Sequence, residues 1–258
     1  MNWKHNLSHY VFNKAGSFFK HKRNGLRVLA YHSIGGSAHR DNIDLYSVSP
    51  RMFEDQIKSL SEYNDIRLTK VKNEKIDDSS LKIAFSFDDG YLDNLQYVAP
   101  LMEKYKYPWH IYVVSDFIKN NKKSFLSPSD LRELSSYKFV TIGSHGKSHT
   151  ALPDCDASNL KSELFDSKNY LEDLLGKKID SLSYPFGLTN KSVIIVAKEA
   201  GYNIACSSYF NINHSNRNMM CLCRTPIFSY DNVKTFLQKT FGMWDWMKYF
   251  THDPVTRE

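Results

Sequence analysis

Short apolar runs alternate with helical stretches about seven or eight times between Leu26 and Thr225, and such alternation leaves few folds open. Leu26-Arg27-Val28-Leu29-Ala30-Tyr31-His32 reads as the first strand and Ile66-Arg67-Leu68-Thr69 as a short second one. Residues 81–87, 109–115, 139–144, 182–187, 204–207 and 222–225 follow as strands, the one from 182 running into a turn. Each is short, apolar and rich in β-branched or aromatic residues. Between them, Ser49-Pro50 opens a helix, with Ser as cap and Pro at its first position. A helix from about Leu92 to Tyr105 is disturbed by Pro100. Ser127-Pro128-Ser129-Asp130 starts a helix through Tyr137, and a long one runs from Ser158 to Leu175 and closes at Gly176. Asn190 to Ala200 forms another, capped by Gly201. Repeated βα units favour a closed parallel barrel. No Gly-rich phosphate loop follows the first strand, which argues against a nucleotide-binding open sheet. The 258 residues suit one large α/β domain.

Net charge is +6. That suits an anionic surface or substrate, but no Lys/Arg run with interleaved aromatics suggests a nucleic-acid groove, so no nucleic-acid partner is expected. Cys221 and Cys223 are too close for an easy disulfide, and with Cys155 and Cys206 scattered, free thiols fit a reducing compartment. The first residues lack the apolar core of a signal peptide, and no run approaches the ~20 apolar residues of a membrane span. A cytoplasmic location is therefore expected, or a peripheral one on the inner membrane face. Residues 1–25 form an N-terminal extension whose first 23 read as a basic amphipathic helix, with Trp3, Leu7, Val11 and Phe18 near one face. Such a helix closes one end of a domain or lies on an anionic membrane. Residues 26–240 form the domain proper. Residues 241–258 are an aromatic tail that packs on the domain or a second subunit, or anchors at a bilayer interface.

Two strand ends carry chemistry. Phe85-Ser86-Phe87-Asp88-Asp89-Gly90 places two carboxylates side by side. Burying adjacent like charges is costly unless a cation compensates them, so the pair suggests a bound metal as well as an ordinary polar turn. One acid can ligate the ion while the other stays free to take a proton from water. Gly143-Ser144-His145-Gly146-Lys147-Ser148-His149 also follows an apolar run, and its two histidines, four apart, sit on one side of a helical turn or tight loop. In parallel α/β folds, sites are built at that end of the strands.

These two segments, with Ser183-Tyr184-Pro185-Phe186-Gly187, resemble in order and strand context the three core motifs of the polysaccharide deacetylases (the NodB-homology, or family 4, carbohydrate esterases). The resemblance covers roughly residues 26–230. It implies a distorted, incomplete (β/α)7 barrel, TIM-like and single-domain. It also implies a metal-dependent N-deacetylase acting on N-acetylhexosamine units of a polysaccharide or of a lipid- or nucleotide-linked precursor. Tyr31-His32 resembles the N-terminal motif of the branch with circularly permuted motif order, where this histidine is the general acid. On this reading Asp89, His145 and His149 hold the metal, a set that suits Zn2+ and also admits Co2+, Ni2+ or Mn2+. Asp88 is the general base. The Tyr184 amide is the oxyanion donor, Pro185 having no N–H to offer, and Tyr91 and Phe186 are candidate rings for stacking on sugar. The family's third motif often carries an arginine that holds the free aspartate; here that motif has none, and Arg224 is the candidate substitute, or else an ordinary surface ion pair. Two His and one carboxylate also define non-haem iron oxygenases, although there one His and the carboxylate share a short motif. A glycan-binding protein on a worn-out esterase fold is the third alternative.

Overall fold

The computed structural model describes residues 24–251, 253 and 254. The amphipathic helix expected over residues 1–23 lies outside them. Among the described residues ten strands appear in chain order: β1 Gly25–Tyr31, β2 Ser33–Ile34, β3 Ser47–Val48, β4 Ile66–Leu68, β5 Leu81–Phe87, β6 Trp109–Val113, β7 Val140–Ser144, β8 Ser181–Ser183, β9 Ile204–Cys206 and β10 Thr225–Pro226. The α-helices are α1 Pro50–Leu60, α2 Ala99–Tyr105, α3 Ser115–Lys119, α4 Pro128–Leu134, α5 Ala157–Lys161, α6 Ser167–Leu175, α7 Lys191–Glu199 and α8 Val233–Thr240.

The main sheet runs β10-β1-β5-β6-β7-β8-β9, with β4 also paired to β5. Every pairing in it is parallel. Helices follow the strands, and the sheet curls into a half-barrel, the distorted, incomplete (β/α)7 form expected. Between β9 and β10 the ladder is not continuous; a bridge from Cys206 to Leu222 spans the gap. Residues 222–225 are thus a strand only at Thr225–Pro226, which pairs with Leu29 and Ala30 near the end of β1. Arg224 immediately precedes β10, and its guanidinium reaches Asp88, just past the end of β5.

Strands buried on both faces read as nearly unbroken apolar runs, and all seven residues of β1 are buried. Under the strand ends, Tyr31, Phe53, Phe87 and Trp109 interlock, with neighbouring ring centroids 5.2–5.7 Å apart. Each such fully buried ring contributes about 1.5–3 kcal/mol relative to an exposed one. Ser49 caps α1 and accepts from the Met52 amide. Ser127 and Asp130 complete a capping box on α4. Pro100 lacks an N–H, and the turn before it, Asn94–Val98, widens to a π-helix. The Lys-rich stretch 116–126, whose polarity alone reads as an exposed loop, begins inside α3. Helix α8, capped by Asn232, and the small β2–β3 sheet were not anticipated.

Phe241 and Trp244 are buried, and Asp245 forms a buried ion pair with Arg27 of β1 at 2.9 Å, so this part of the tail packs on the sheet. Tyr249 and Phe250 are each 78% exposed. Among the described residues no helix is long and apolar enough to cross a membrane.

Candidate active site

A cavity of about 370 Å³ opens at the carboxyl ends of the strands. His32, Asp88, Asp89, His145, His149 and Arg224 all line it. His32 follows β1, the two acids follow β5 and His145 follows β7, so one end of a parallel sheet collects them.

The turn after β5 separates the two carboxylates. Asp88 continues the ladder, its N–H donating to the Tyr31 carbonyl at 3.0 Å. Asp89 then adopts φ 73° and Gly90 φ 82°. Left-handed backbone costs a non-glycine residue roughly 1–2 kcal/mol. A Cβ on Gly90 would lie 2.9 Å from Val113 Cγ1, so this position has no room for a side chain. His149 (φ 63°) and Phe186 (φ 58°) share the same conformation. With Arg40 (φ 61°), four cavity-lining residues other than glycine are thus held in a sparsely populated region, a clustering typical of functional sites.

Asp88 is clamped. Arg224 Nη1 and Nη2 donate to its two oxygens at 2.8 and 2.7 Å, and the Ser183 hydroxyl donates at 3.2 Å. Arg224 Nε donates to the Ser207 carbonyl at 2.9 Å, fixing the guanidinium plane. Burial pushes the Asp88 carboxyl up, but Arg224 and His145 beside it win and hold it down to about 2. It is therefore ionised at neutral pH.

Asp89 Oδ2 accepts from the Tyr91 hydroxyl at 3.0 Å. Its Oδ1 is buried, has no hydrogen-bond partner, and lies 3.4 Å from both His145 Nε2 and His149 Nε2. These separations are too long for ordinary N–H···O bonds. Burial raises the Asp89 carboxyl, yet the surrounding histidines leave it well below the usual range. His145 Nδ1 donates to the Ser183 carbonyl at 2.7 Å, which leaves Nε2 as the nitrogen that faces Asp89. Burial disfavours the charged form of His145, but Asp88 and Asp89 outweigh it, so this corner attracts positive charge. His149 is pushed down to about 4 by burial and by His145, which leaves it neutral with a lone pair available.

The donor atoms of Asp89, His145 and His149 lie within 4.8 Å of one another. An orphaned buried carboxylate oxygen, a histidine oriented by a backbone carbonyl and a second neutral histidine fit a divalent cation. Their two nitrogens and one oxygen suit zinc and equally other first-row ions.

The 145–149 segment is a tight loop rather than a helical turn, and Glu163 holds it. Its Oε2 accepts from the Lys147 and Ser148 amides at 2.9 and 3.0 Å, and its Oε1 from the Ser148 hydroxyl. Glu163→Ala is expected to weaken metal affinity about 10–100-fold, the range for lost outer partners of ligands. Metal titration of the folded variant checks this; unchanged affinity would remove Glu163 from any positioning role.

His32 is half-buried against Tyr46, ring centroids 4.6 Å apart, with its Nδ1 buried and unpartnered. Burial lowers its pKa, with Asp89 and Asp88 pulling the other way. Asn94 Nδ2 donates to the His32 carbonyl at 3.0 Å, and Asp93 accepts from Ser33 Oγ at 2.6 Å, so these two residues, a few positions past the first motif, brace the β1 exit.

Two sequence expectations need correction. The Tyr184 N–H donates to the Cys206 carbonyl at 3.0 Å, because the β8–β9 pairing reaches one residue past β8. Its hydroxyl donates to the Met220 carbonyl, and the ring is fully buried. Tyr184 is therefore not an oxyanion donor. Tyr91 is likewise buried, stacked on Phe125 at 4.8 Å, and no sugar can reach its face. It acts instead through the hydroxyl that meets Asp89. Pro185 is buried behind the turn. Phe186 is 48% exposed on the cavity wall, its ring 4.5 Å from that of His149. Sequence reasoning missed Ser183 as an Asp88 partner, Glu163, and the cavity-lining His39, Arg40, Tyr46 and Phe228. None carries a local signal beyond belonging to a strand, a helix or a polar loop.

A family profile described as polysaccharide deacetylase matches residues 75–205. The chain is 26% identical over 207 residues to the Bacillus subtilis (strain 168) protein YxkH, covering 78% of this chain and 71% of that one. It is 26% identical over 209 residues to a poly-β-1,6-N-acetyl-D-glucosamine N-deacetylase of Staphylococcus aureus (strain MRSA252), covering 70% and 71%. Among solved structures, a polysaccharide deacetylase from Bacillus cereus superposes with a TM-score of 0.73 at 25% identity, over 84% of this chain and 69% of that one.

Proposed function

Because the chain belongs to the polysaccharide deacetylase family, whose members hydrolyse carbohydrate amides, we propose that it removes acetyl groups from N-acetylhexosamine units of a polysaccharide or its glycan precursor. The observation that carries this reading is the split pair of acids: Asp89 turned toward two histidines, Asp88 kept apart and ionised by Arg224. The kinship to a poly-N-acetylglucosamine deacetylase supports an N-acetylated glycan as substrate.

Asp89 Oδ1, His145 Nε2 and His149 Nε2 would hold the cation. When bound, a divalent metal supplies Lewis acidity, acidifying water and polarising the acetyl carbonyl. Asp88 takes the proton of the attacking water. A carboxylate so far below neutrality is a weak base, so its advantage is placement and permanent ionisation. Arg224 and Ser183 fix the direction of its free lone pairs. His32 gives a proton to the departing amine. Its lowered pKa makes the protonated ring a stronger acid and reduces its resting population. With the Tyr184 amide consumed, the Phe186 N–H is the donor offered to the developing oxyanion by the 184–187 turn. The Tyr31-His32 pair supports assignment to the branch with the N-terminal histidine.

Acetate release from N-acetylated glycans and precursors, measured with defined metals, tests the proposal. Chelation is expected to lower the rate at least about a hundredfold, with Zn2+ or another first-row divalent ion restoring it. A chelated protein that keeps its rate removes the metal; no acetate from any substrate in the panel removes the deacetylase.

A further inference from the structure

A second pocket of about 250 Å³ shares a wall with the catalytic cavity. Ala38, His39 and Arg40 line both; Lys122, Lys123 and Tyr91 are among the residues that line only the second. No carboxylate lines it. Among the described residues, Arg40, Lys122 and Lys123 have no acidic side chain within ion-pair distance. Resting on the deacetylase reading, we propose that this pocket is a subsite for an oxyanion carried by the substrate, so that the preferred glycan bears a phosphate or carboxylate beside the N-acetyl sugar.

The cations are built in rather than scattered. Lys122 Nζ sits 3.5 Å from the centroid of the Phe117 ring and 5.0 Å from that of Phe125, and 3.1 Å from His39 Nε2. Rings on one side and the lone pair of neutral His39, whose pKa is lowered by burial, Lys122 and Arg40, on the other hold the ammonium in place without neutralising it. Burial and the charge of Arg40 lower the Lys122 pKa, with Asp89 pulling the other way. The lysine loop is stitched to the catalytic turn: the Leu92 amide donates to the Ser124 carbonyl at 3.0 Å and the Leu126 amide to the Gly90 carbonyl at 2.9 Å. Arg40 (φ 61°), Asn121 (φ 48°) and Ser124 (φ 74°) hold left-handed backbone in the two facing loops. A cleft lined by one sign of charge concentrates counter-ions, and arginine and lysine are the side chains that bind phosphate and carboxylate.

The pocket also communicates with the reaction centre. The His39 N–H donates to the Tyr91 oxygen at 2.6 Å, and the Tyr91 hydroxyl donates to Asp89 Oδ2 at 3.0 Å. An anion that draws in the 39–40 loop therefore tightens the bracket on the Asp89 carboxylate.

Isothermal titration of the purified full chain with N-acetylglucosamine, N-acetylglucosamine 1-phosphate and N-acetylmuramic acid tests this. At least one charged sugar should bind about tenfold or more tightly than the neutral one, with the gap narrowing at high salt. Which of the two gains most tells phosphate from carboxylate. The preference should fall toward parity in Lys122→Gln and in Arg40→Gln; Arg40 is exposed, so the second variant stands if the first folds poorly. Equal binding of charged and neutral sugars, or a preference that survives both substitutions, overturns the subsite. Acetate release from the same sugars is scored separately: charge preference without acetate removes the deacetylase and leaves the pocket, and acetate without preference does the reverse.

Discussion

Asp88→Asn lowers acetate release by about 10³-fold or more while the protein still binds one divalent metal, if Asp88 is the base. The change keeps the shape and the acceptor oxygen that one Arg224 nitrogen can use, and removes only the charge and the basicity. Asp89, His145 and His149, which converge on their own side of the turn, are untouched. Metal content and turnover should therefore separate. The buried Arg224 loses its counter-ion, and breaking a buried pair typically costs about 3–5 kcal/mol, so the melting transition must be followed beside the rate. A variant that stays folded and metal-loaded and runs within tenfold of the parent chain would remove Asp88 from the base position.

Most of the fold was legible because its signals are local. The strand Leu81–Phe87 is bounded by a charged loop before and an acidic turn after, and periodicity alone finds it. Ser49-Pro50 and Ser127-Pro128 mark helix starts by capping chemistry that needs no tertiary context. The acids and histidines were also legible, because strand ends in parallel sheets share one face. The errors are tertiary. Whether the Tyr184 amide is free depends on how far β9 runs alongside β8, and that is set by a strand some twenty residues downstream. Tyr91 stands next to the acidic pair but faces inward, because Phe125 from the lysine loop covers it. Residues 116–126 read as exposed and Lys-rich, which holds for Lys123; that the loop returns to the catalytic turn carries no local signal. Glu163 lies on a helix face where a carboxylate is unremarked, and only the fold brings it under the histidine loop.

Arg224 is the residue whose role depends most on the fold, since 136 positions separate it from Asp88. Replacing it should have the second large effect. Arg224→Met leaves the Asp88 charge buried at 2% exposure with the Ser183 hydroxyl as its remaining side-chain hydrogen-bond donor among the described residues, and a loss of about 3–5 kcal/mol in stability is expected. Arg224→Lys keeps the charge and loses the fork: one ammonium cannot meet both Asp88 oxygens and the Ser207 carbonyl in one plane. That variant should stay folded and lose on the order of 10–100-fold in kcat with little change in KM, because what fails is the aim of the base rather than the hold on substrate. The clamp is separated from generic packing by the double variant Asp88→Asn with Arg224→Met. If the two groups form one unit, removing both should destabilise less than the sum of the single changes, by about 0.5–3 kcal/mol of coupling, since no charge is left without its partner. Strictly additive losses in chemical denaturation would mean that the guanidinium supports Asp88 no more than any buried side chain of its size, and the base would then need another explanation for its fixed orientation.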